Sequence, residues 1–269
     1  PVFAIDERRY SRSRPSESGV LEALRHCVRN PHFRPYVAAD FSYFFATAII
    51  STGMPYYLTV LVELESRYLL PVVGGLAALS FLFYYPTNRL AGRFGKKPLV
   101  IFSLALLLVA FALIFFLGWL PLPRLVQIFG LGAVASVPLA VLGVLPNSIL
   151  SDIAAHDSRQ TGRSQEGMYF AARALLSKLG QSCGIMVFAG LTNFGKDVGD
   201  DLGVRLSGLA GLAFDLLALV IFSFYREHEV SGEQVVPLGA KAGAGPDVPA
   251  PPPQAVPLPR SLLPQAFGA

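Results

Sequence analysis

Charged residues are scarce in this sequence. Asp, Glu, Lys and Arg make up 15% of its 269 residues, whereas hydrophobic residues make up 53%. An average soluble domain carries about 25% charged residues. The deficit argues against a water-soluble domain and indicates that long segments of the chain are solvated by lipid.

Cysteine and histidine are also rare, and their placement gives no sign of a metal site. Cys27 lies in a basic flank, Cys183 lies in an apolar stretch, and the four histidines are scattered in flanks and loops. We expect both thiols to pack as small hydrophobic groups, and we expect no cofactor or metal. Position 1 is not Met and no secretory signal pattern opens the chain, so we expect a fragment or a processed product.

Enzyme motifs are missing as well. Ser151, Asp152 and His156 lie near one another in sequence, but without a cleft they are weak evidence for catalysis. We therefore expect no enzyme, and we keep a non-transport six-helix membrane protein as one alternative. The sequence pI of about 9.2 is explained by arginines that contact anionic lipid, so we expect no nucleic-acid partner.

Six apolar segments follow a polar and basic start. The stretch 99–117 contains no charged residue, and about 20 apolar residues are enough to cross the hydrocarbon core. Helices are favoured because they satisfy their own backbone hydrogen bonds in lipid, and because the runs lack the alternation of barrel strands. The predicted fold class is an all-α membrane bundle, with transmembrane helices at 36–62, 69–85, 98–120, 126–150, 167–194 and 202–225.

Basic residues are divided unevenly between the two ends of the predicted spans. Only Arg67, Arg124, Lys196 and Arg205 flank the spans on one side, and most of the others flank them on the side of residues 1–35. The positive-inside rule then places both termini in the cytoplasm, in a plasma or bacterial inner membrane. The predicted regions are a cytoplasmic arm at 1–35, a six-helix domain at 36–228 and a disordered Pro/Gly/Ala-rich cytoplasmic tail at 229–269.

The predicted loop 88–98 reads NRLAGRFGKKP. Taken alone, it is explained by a tight glycine turn flanked by basic residues. It also resembles the loop between the second and third helices in each half of major facilitator superfamily transporters. Gly92 stands where that family usually has an aspartate. The matching residues are Leu90, Ala91, Arg93, Gly95, Lys96 and Lys97.

The stretch 146–184 resembles a narrower family, the glycoside–pentoside–hexuronide:cation symporters, which includes the melibiose permease. The residues that carry the resemblance are Asp152, Asp157, Arg163, Glu166, Gly167, Tyr169, Phe170 and Lys178. It covers about residues 30–228 and implies the C-terminal six helices of a twelve-helix transporter. A vertebrate-type lysophospholipid symporter family shares much of the pattern.

The resemblance implies a secondary transporter that moves a sugar or related small solute together with a cation. It places the Na⁺ or H⁺ site in an N-terminal six-helix half, which a longer chain or a separate chain would supply. It places Lys178 in the sugar cavity. A lysolipid or another amphiphile is the alternative cargo.

Lys178 is also a candidate without the resemblance. A charge near mid-membrane costs about 2.5–3.5 kcal/mol on insertion scales, so this ammonium should face a cavity. Gln181 shares its helix face at a spacing of three residues. A structural ion pair is the alternative for Lys178. With Tyr169 and Asn147, these two residues form the predicted substrate-binding set.

Other polar residues of the spans leave more than one interpretation open. Asp215 lies in the last span and is compatible with a structural partner, a neutral acid or a role in transport. Asp40 is expected at the membrane interface. Gly180 and Gly184 form a G-x-x-x-G step, which favours close helix packing.

Charged residues of the predicted loops suggest a gate. We hypothesise that salt bridges from these loops to the other half hold the outward-open state and break on inward opening. A solvated charged loop is the alternative. The predicted gating set is Asp152, Asp157, Arg163, Glu166 and Arg93.

Overall fold

The computed structural model describes residues 27–162 and 165–231. Most of the predicted arm, Arg163 and almost all of the predicted tail lie outside these residues, and the three predicted regions stay predictions. Helix accounts for 87% of the structure and no strand forms within the described ranges. The all-α fold class is therefore confirmed.

Six helices are long and apolar enough to cross a membrane, as the sequence predicted. A π-helical turn, Tyr57–Leu61, extends the first of them, and a short seventh helix follows the sixth. The helices are α1 (Phe33–Tyr56), α2 (Leu69–Phe94), α3 (Lys96–Phe116), α4 (Arg124–Thr161), α5 (Glu166–Leu191), α6 (Leu202–Ser223) and α7 (Glu227–Ser231).

Two helices are longer than predicted. Most residues that we predicted to form the loops after the second and fourth spans are helical instead. α2 runs through residue 85 to Phe94, and α4 runs through residue 150 to Thr161. Polar side chains do not stop a helix that leaves the lipid, because its backbone hydrogen bonds persist in water. Each helix ends instead at a glycine with a positive φ, Gly95 at 88° and Gly162 at 69°.

The main helix contacts define a path through the bundle. α2 packs on α4, α4 on α3, α3 on α6, α6 on α1 and α1 on α5. α2 and α5 therefore stand at the two ends of this path. They are also the least buried of the six helices, with 11% and 22% of their most apolar windows buried. We call the end of the bundle that carries Arg93, Lys96 and Lys97 the basic end.

The G-x-x-x-G step of α5 packs against the backbone of α1, as predicted. A Cβ at Gly180 would lie 2.6 Å from the carbonyl oxygen of Phe41. A Cβ at Gly184 would collide with the carbonyl oxygen of Phe45. The absence of side chains at these two positions lets α5 approach α1 closely.

We predict that Gly184→Leu separates α5 from α1 and lowers the unfolding temperature of the detergent-solubilised chain by several degrees, because the clash is with backbone that cannot rotate away. The matched control is Gly190→Leu in the same helix, since a Cβ at Gly190 meets nothing within 4 Å. Equal melting temperatures of the two variants would contradict this packing.

Arg205 locks α6 to α3 at the end opposite the basic end. Its Nη1 donates to the carbonyl oxygens of Phe115 and Leu117, both at 2.8 Å, where α3 ends. Asp201 accepts from its Nη2 at 2.7 Å. Although the sequence placed Arg205 among flanking charges, its side chain is 4% exposed because it satisfies the last carbonyls of a helix.

Candidate functional site

The exposed surface of α5 divides into an apolar strip and a strip with polar groups. Leu175, Leu179 and Met186 follow one another along the apolar strip and are 54%, 48% and 74% exposed. Lys178 and Gln181 lie on the other strip, which otherwise carries small side chains and Ile185. Lipid suits the first strip, whereas an ammonium requires a polar environment.

Lys178 and Gln181 form a polar pair that we call the α5 pair. The ammonium Nζ of Lys178 donates to Oε1 of Gln181 at 3.2 Å. Lys178 is exposed in this chain, and no carboxylate of the described residues pairs with it. The pair therefore presents one positive charge and amide groups to whatever covers this side of the bundle.

A buried ion pair joins α1 to α5 nearer the basic end. Nε and Nη2 of Arg173 donate to the two carboxylate oxygens of Asp40 at 3.0 and 2.9 Å. The hydroxyl of Ser177 donates to Asp40 Oδ2 at 2.9 Å. The side chains of Arg173 and Asp40 are only 12% and 4% exposed. The two-pronged geometry and burial make this a strong contact between the two helices.

Asn147 joins this cluster rather than the α5 pair. Its Oδ1 accepts a hydrogen bond from Nη1 of Arg173, so α4 is attached to the α1–α5 ion pair. Arg173 precedes Lys178 by five residues, or about 7.5 Å along the helix axis. Asn147 is exposed. Its contact with Arg173 places its amide near the α5 pair, on the face of the bundle that we call the open side.

Tyr169 lies away from both polar groups of α5 described above. Its side chain is fully buried near the start of α5, and its hydroxyl accepts from Nδ2 of Asn30 at 2.9 Å. Its ring packs edge-to-face on Phe33, with the ring centroids 5.1 Å apart. The structure therefore brings together Lys178 and Gln181 but does not bring Tyr169 to them. Its role in substrate binding stays a prediction.

Asp152 is paired within the bundle. Nζ of Lys96 donates to Asp152 Oδ2 at 2.5 Å, which joins α3 to α4 at the basic end. Glu227 of α7 accepts from the backbone N–H groups of Lys96 and Lys97 at 2.7 and 3.0 Å. At the basic end, an ion pair therefore joins α3 to α4, and a carboxylate of α7 caps the first turn of α3.

Glu227→Ala is predicted to lower stability by about 1 kcal/mol, because two backbone N–H groups at the start of α3 lose their acceptor. Thermal unfolding in detergent measures the effect. Glu229→Ala in the same short helix serves as the control, since it loses only an exposed pair with Arg226 and a 3.8 Å approach to the His32 ring. If the two variants melt at the same temperature, the cap does not stabilise the bundle.

The remaining predicted gating residues have different surroundings. Asp157 is buried, and its Oδ1 accepts from Asn30 at 3.1 Å. Glu166 is exposed in the first turn of α5, and Arg93 is exposed in the last turn of α2. Arg163 lies outside the described residues. The gating role of the set stays a prediction, although Asp152 and Asp157 already have partners in this half.

His32 adds a titratable group at the basic end. Its ring lies 3.8 Å from a carboxylate oxygen of Glu229, and it meets the His156 ring edge-to-face. Burial and the neighbouring His156 lower the pKa of His32 below its usual value. The neutral ring is therefore favoured in the folded chain. Any stability gained from it is present above the unfolded pKa and is lost as the pH falls.

A scan of protein-family models matches residues 2–225 to one family, described as MFS/sugar transport protein. The match spans most of the sequence. The chain belongs to this family. A search of curated proteins found no match.

Membership of the MFS/sugar transport protein family identifies the protein as a major facilitator transporter. It confirms the wider resemblance seen in the sequence, without fixing the subfamily. The six apolar helices and this family together make the chain an integral membrane protein. The family is one of transporters rather than enzymes.

For an MFS/sugar transport protein, the arrangement offers polar groups along one open side of the bundle. Lys178, Gln181 and Asn147 lie on three turns of two neighbouring helices and carry donors and acceptors suited to hydroxyl groups. Sequence reasoning missed the Asp40–Arg173 pair beneath them.

Proposed function

We propose that this chain forms one six-helix half of a cation-coupled symporter for a sugar or related small polar solute. The observation that carries the proposal is the exposed α5 pair, an ammonium and an amide. The pair lies on an apolar helix that stands at one end of the packing path. Membrane helices tolerate such groups where they line a water-filled path. The family assignment supports transport as the purpose of that path.

The partner in this proposal is a second six-helix half, in the same longer chain or in a separate one. α2 and α5 expose the largest fraction of their surfaces and stand at the two ends of the packing path. A second half that packs along both helices would enclose the space in front of α1 and α4. Two halves around a central site permit alternating access.

The orientation we propose places the basic end in the cytoplasm. Arg89, Arg93, Lys96 and Lys97 all lie at that end, and Lys/Arg-rich ends face the cytoplasm. Because six spans separate them, both termini would then be cytoplasmic. We place the coupling cation, Na⁺ or H⁺, in the second half.

Uptake by liposomes that contain the full-length transporter tests the proposal. We expect accumulation of at least one neutral sugar, glycoside or sugar acid, and we expect a Na⁺ or H⁺ gradient to increase it. A lysolipid is included in the same panel. Accumulation of the lysolipid alone would replace the sugar assignment, and accumulation of no solute under any gradient would contradict a transporter of this class.

A further inference from the structure

Asp215 is a buried acid without a hydrogen-bond partner among the described residues. It lies within α6, its side chain is completely buried, and neither carboxylate oxygen accepts or donates a hydrogen bond there. Asp40, a buried acid of α1, has Arg173 and Ser177 as partners. Asp215 therefore requires a different means of compensating its charge.

The helices packed against α6 supply no cation to Asp215. α3 has no titratable residue between Pro98 and Phe116. On α5, Arg173 is paired with Asp40, and Lys178 contacts Gln181. On α1, the phenol of Tyr43 lies within electrostatic reach of both Asp40 and Asp215. An isolated carboxylate in such a medium costs many kcal/mol, whereas the neutral acid costs far less.

A small cavity lies between α1, α3, α4 and α6, two turns along α6 from Asp215, which does not line it. It is lined by Asp40 and Tyr43 of α1, by residues of α3 and α4, and by Phe222 of α6. Its volume of about 20 Å³ is enough for one water molecule. Phe222 follows Asp215 by seven residues, about two turns, on the same face of α6, and Tyr43 both lines the cavity and lies within electrostatic reach of Asp215.

We propose that Asp215 is a proton-binding site of this six-helix bundle. Its carboxyl holds a proton while α6 is packed on α1 and α3, and it exchanges that proton with water through the cavity beside Tyr43. The proton adds to one carboxylate oxygen to give the neutral acid and returns to water as hydronium, so the step needs no other reactant. The site is separate from the cation site proposed for the second half, and it stands without the proposed function.

Infrared spectroscopy of the full chain in lipid nanodiscs tests this proposal without any transport assay. We expect a carboxylic-acid C=O band at neutral pH that shifts when aspartate is labelled with ¹³C. The band should disappear reversibly at alkaline pH and should shift in D₂O. Asp215→Asn should remove it, whereas Asp197→Asn should leave it in place, because Asp197 is an exposed aspartate of the turn between α5 and α6.

Three outcomes overturn the proposal. A spectrum with no acid band that depends on Asp215 means that the residue is ionised. A band that responds neither to pH nor to D₂O means that the proton is sealed in and that no exchange site exists. Exchange of the same rate in Tyr43→Phe overturns the route beside Tyr43. If Asp215→Asn does not fold, Asp215→Glu provides the test. In that variant the acid band should shift when glutamate, and not aspartate, is labelled with ¹³C.

Discussion

Replacing Arg173 with Gln is expected to destabilise the chain by about 3–5 kcal/mol, because it leaves the carboxylate of Asp40 buried without its partner. The loss should appear as a large drop in the unfolding temperature in detergent. Asp40→Asn should also destabilise, since it strands the guanidinium. The double variant, Asp40→Asn with Arg173→Gln, removes both charges and should be more stable than either single variant.

The comparison with an exposed pair isolates the effect of burial. Arg226→Gln removes a partner of Glu229 at the surface, where the arginine side chain is 73% exposed, and it should change the unfolding temperature little. Equal stability of Arg173→Gln and Arg226→Gln would mean that the α1–α5 ion pair does not hold the bundle together. Strict additivity in the double variant would show that the two charges do not interact.

The second large effect is expected on transport. Lys178→Ala should reduce uptake to the background of empty liposomes, because it removes the cation of the α5 pair from the proposed path. Membrane insertion and unfolding temperature should stay unchanged, since no carboxylate of the described residues depends on this ammonium. The measurement is initial uptake of whichever solute the panel identifies, at matched protein content.

The control for Lys178→Ala is Leu179→Ala, the next residue of α5. Leu179 is 48% exposed on the apolar strip, so its replacement should leave uptake near the unsubstituted rate. Lys178→Arg, which keeps the charge but changes its geometry, should retain only part of the uptake. Full uptake by Lys178→Ala would remove this residue from the site.

The number and type of helices could be predicted from the sequence because lipid imposes a strong constraint. A helix satisfies its own backbone hydrogen bonds in lipid, and apolar runs of about twenty residues without strand-like alternation favour it over a barrel strand. The extra turns of α2 and α4 could not be predicted in this way, because those turns lie outside the apolar segments. Hydropathy reports where lipid ends, whereas Gly95 and Gly162 decide where the helices end.

The site was predictable only in part. Lys178 and Gln181 are three residues apart, so helical spacing was enough to place them together. The Asp40–Arg173 pair spans 133 positions of sequence, and helix periodicity carries no information about such a contact. Tyr169 was assigned from resemblance, and the structure places its ring against Phe33 instead of near Lys178.

The accessibility of the α5 pair to water tests the central claim most directly. A single cysteine is introduced by Gln181→Cys in a chain that also carries Cys183→Ser, since Cys183 is exposed. Cys27 is retained, because it is buried and burial raises the pKa of its thiol to about 11, so we expect it to label slowly at neutral pH. A charged thiol reagent is then applied to the full-length transporter in lipid. We predict rapid labelling at position 181 and slow labelling of Leu179→Cys on the apolar strip. Labelling of residue 179 but not of residue 181 would show that the α5 pair faces lipid, and that no transport path runs along it.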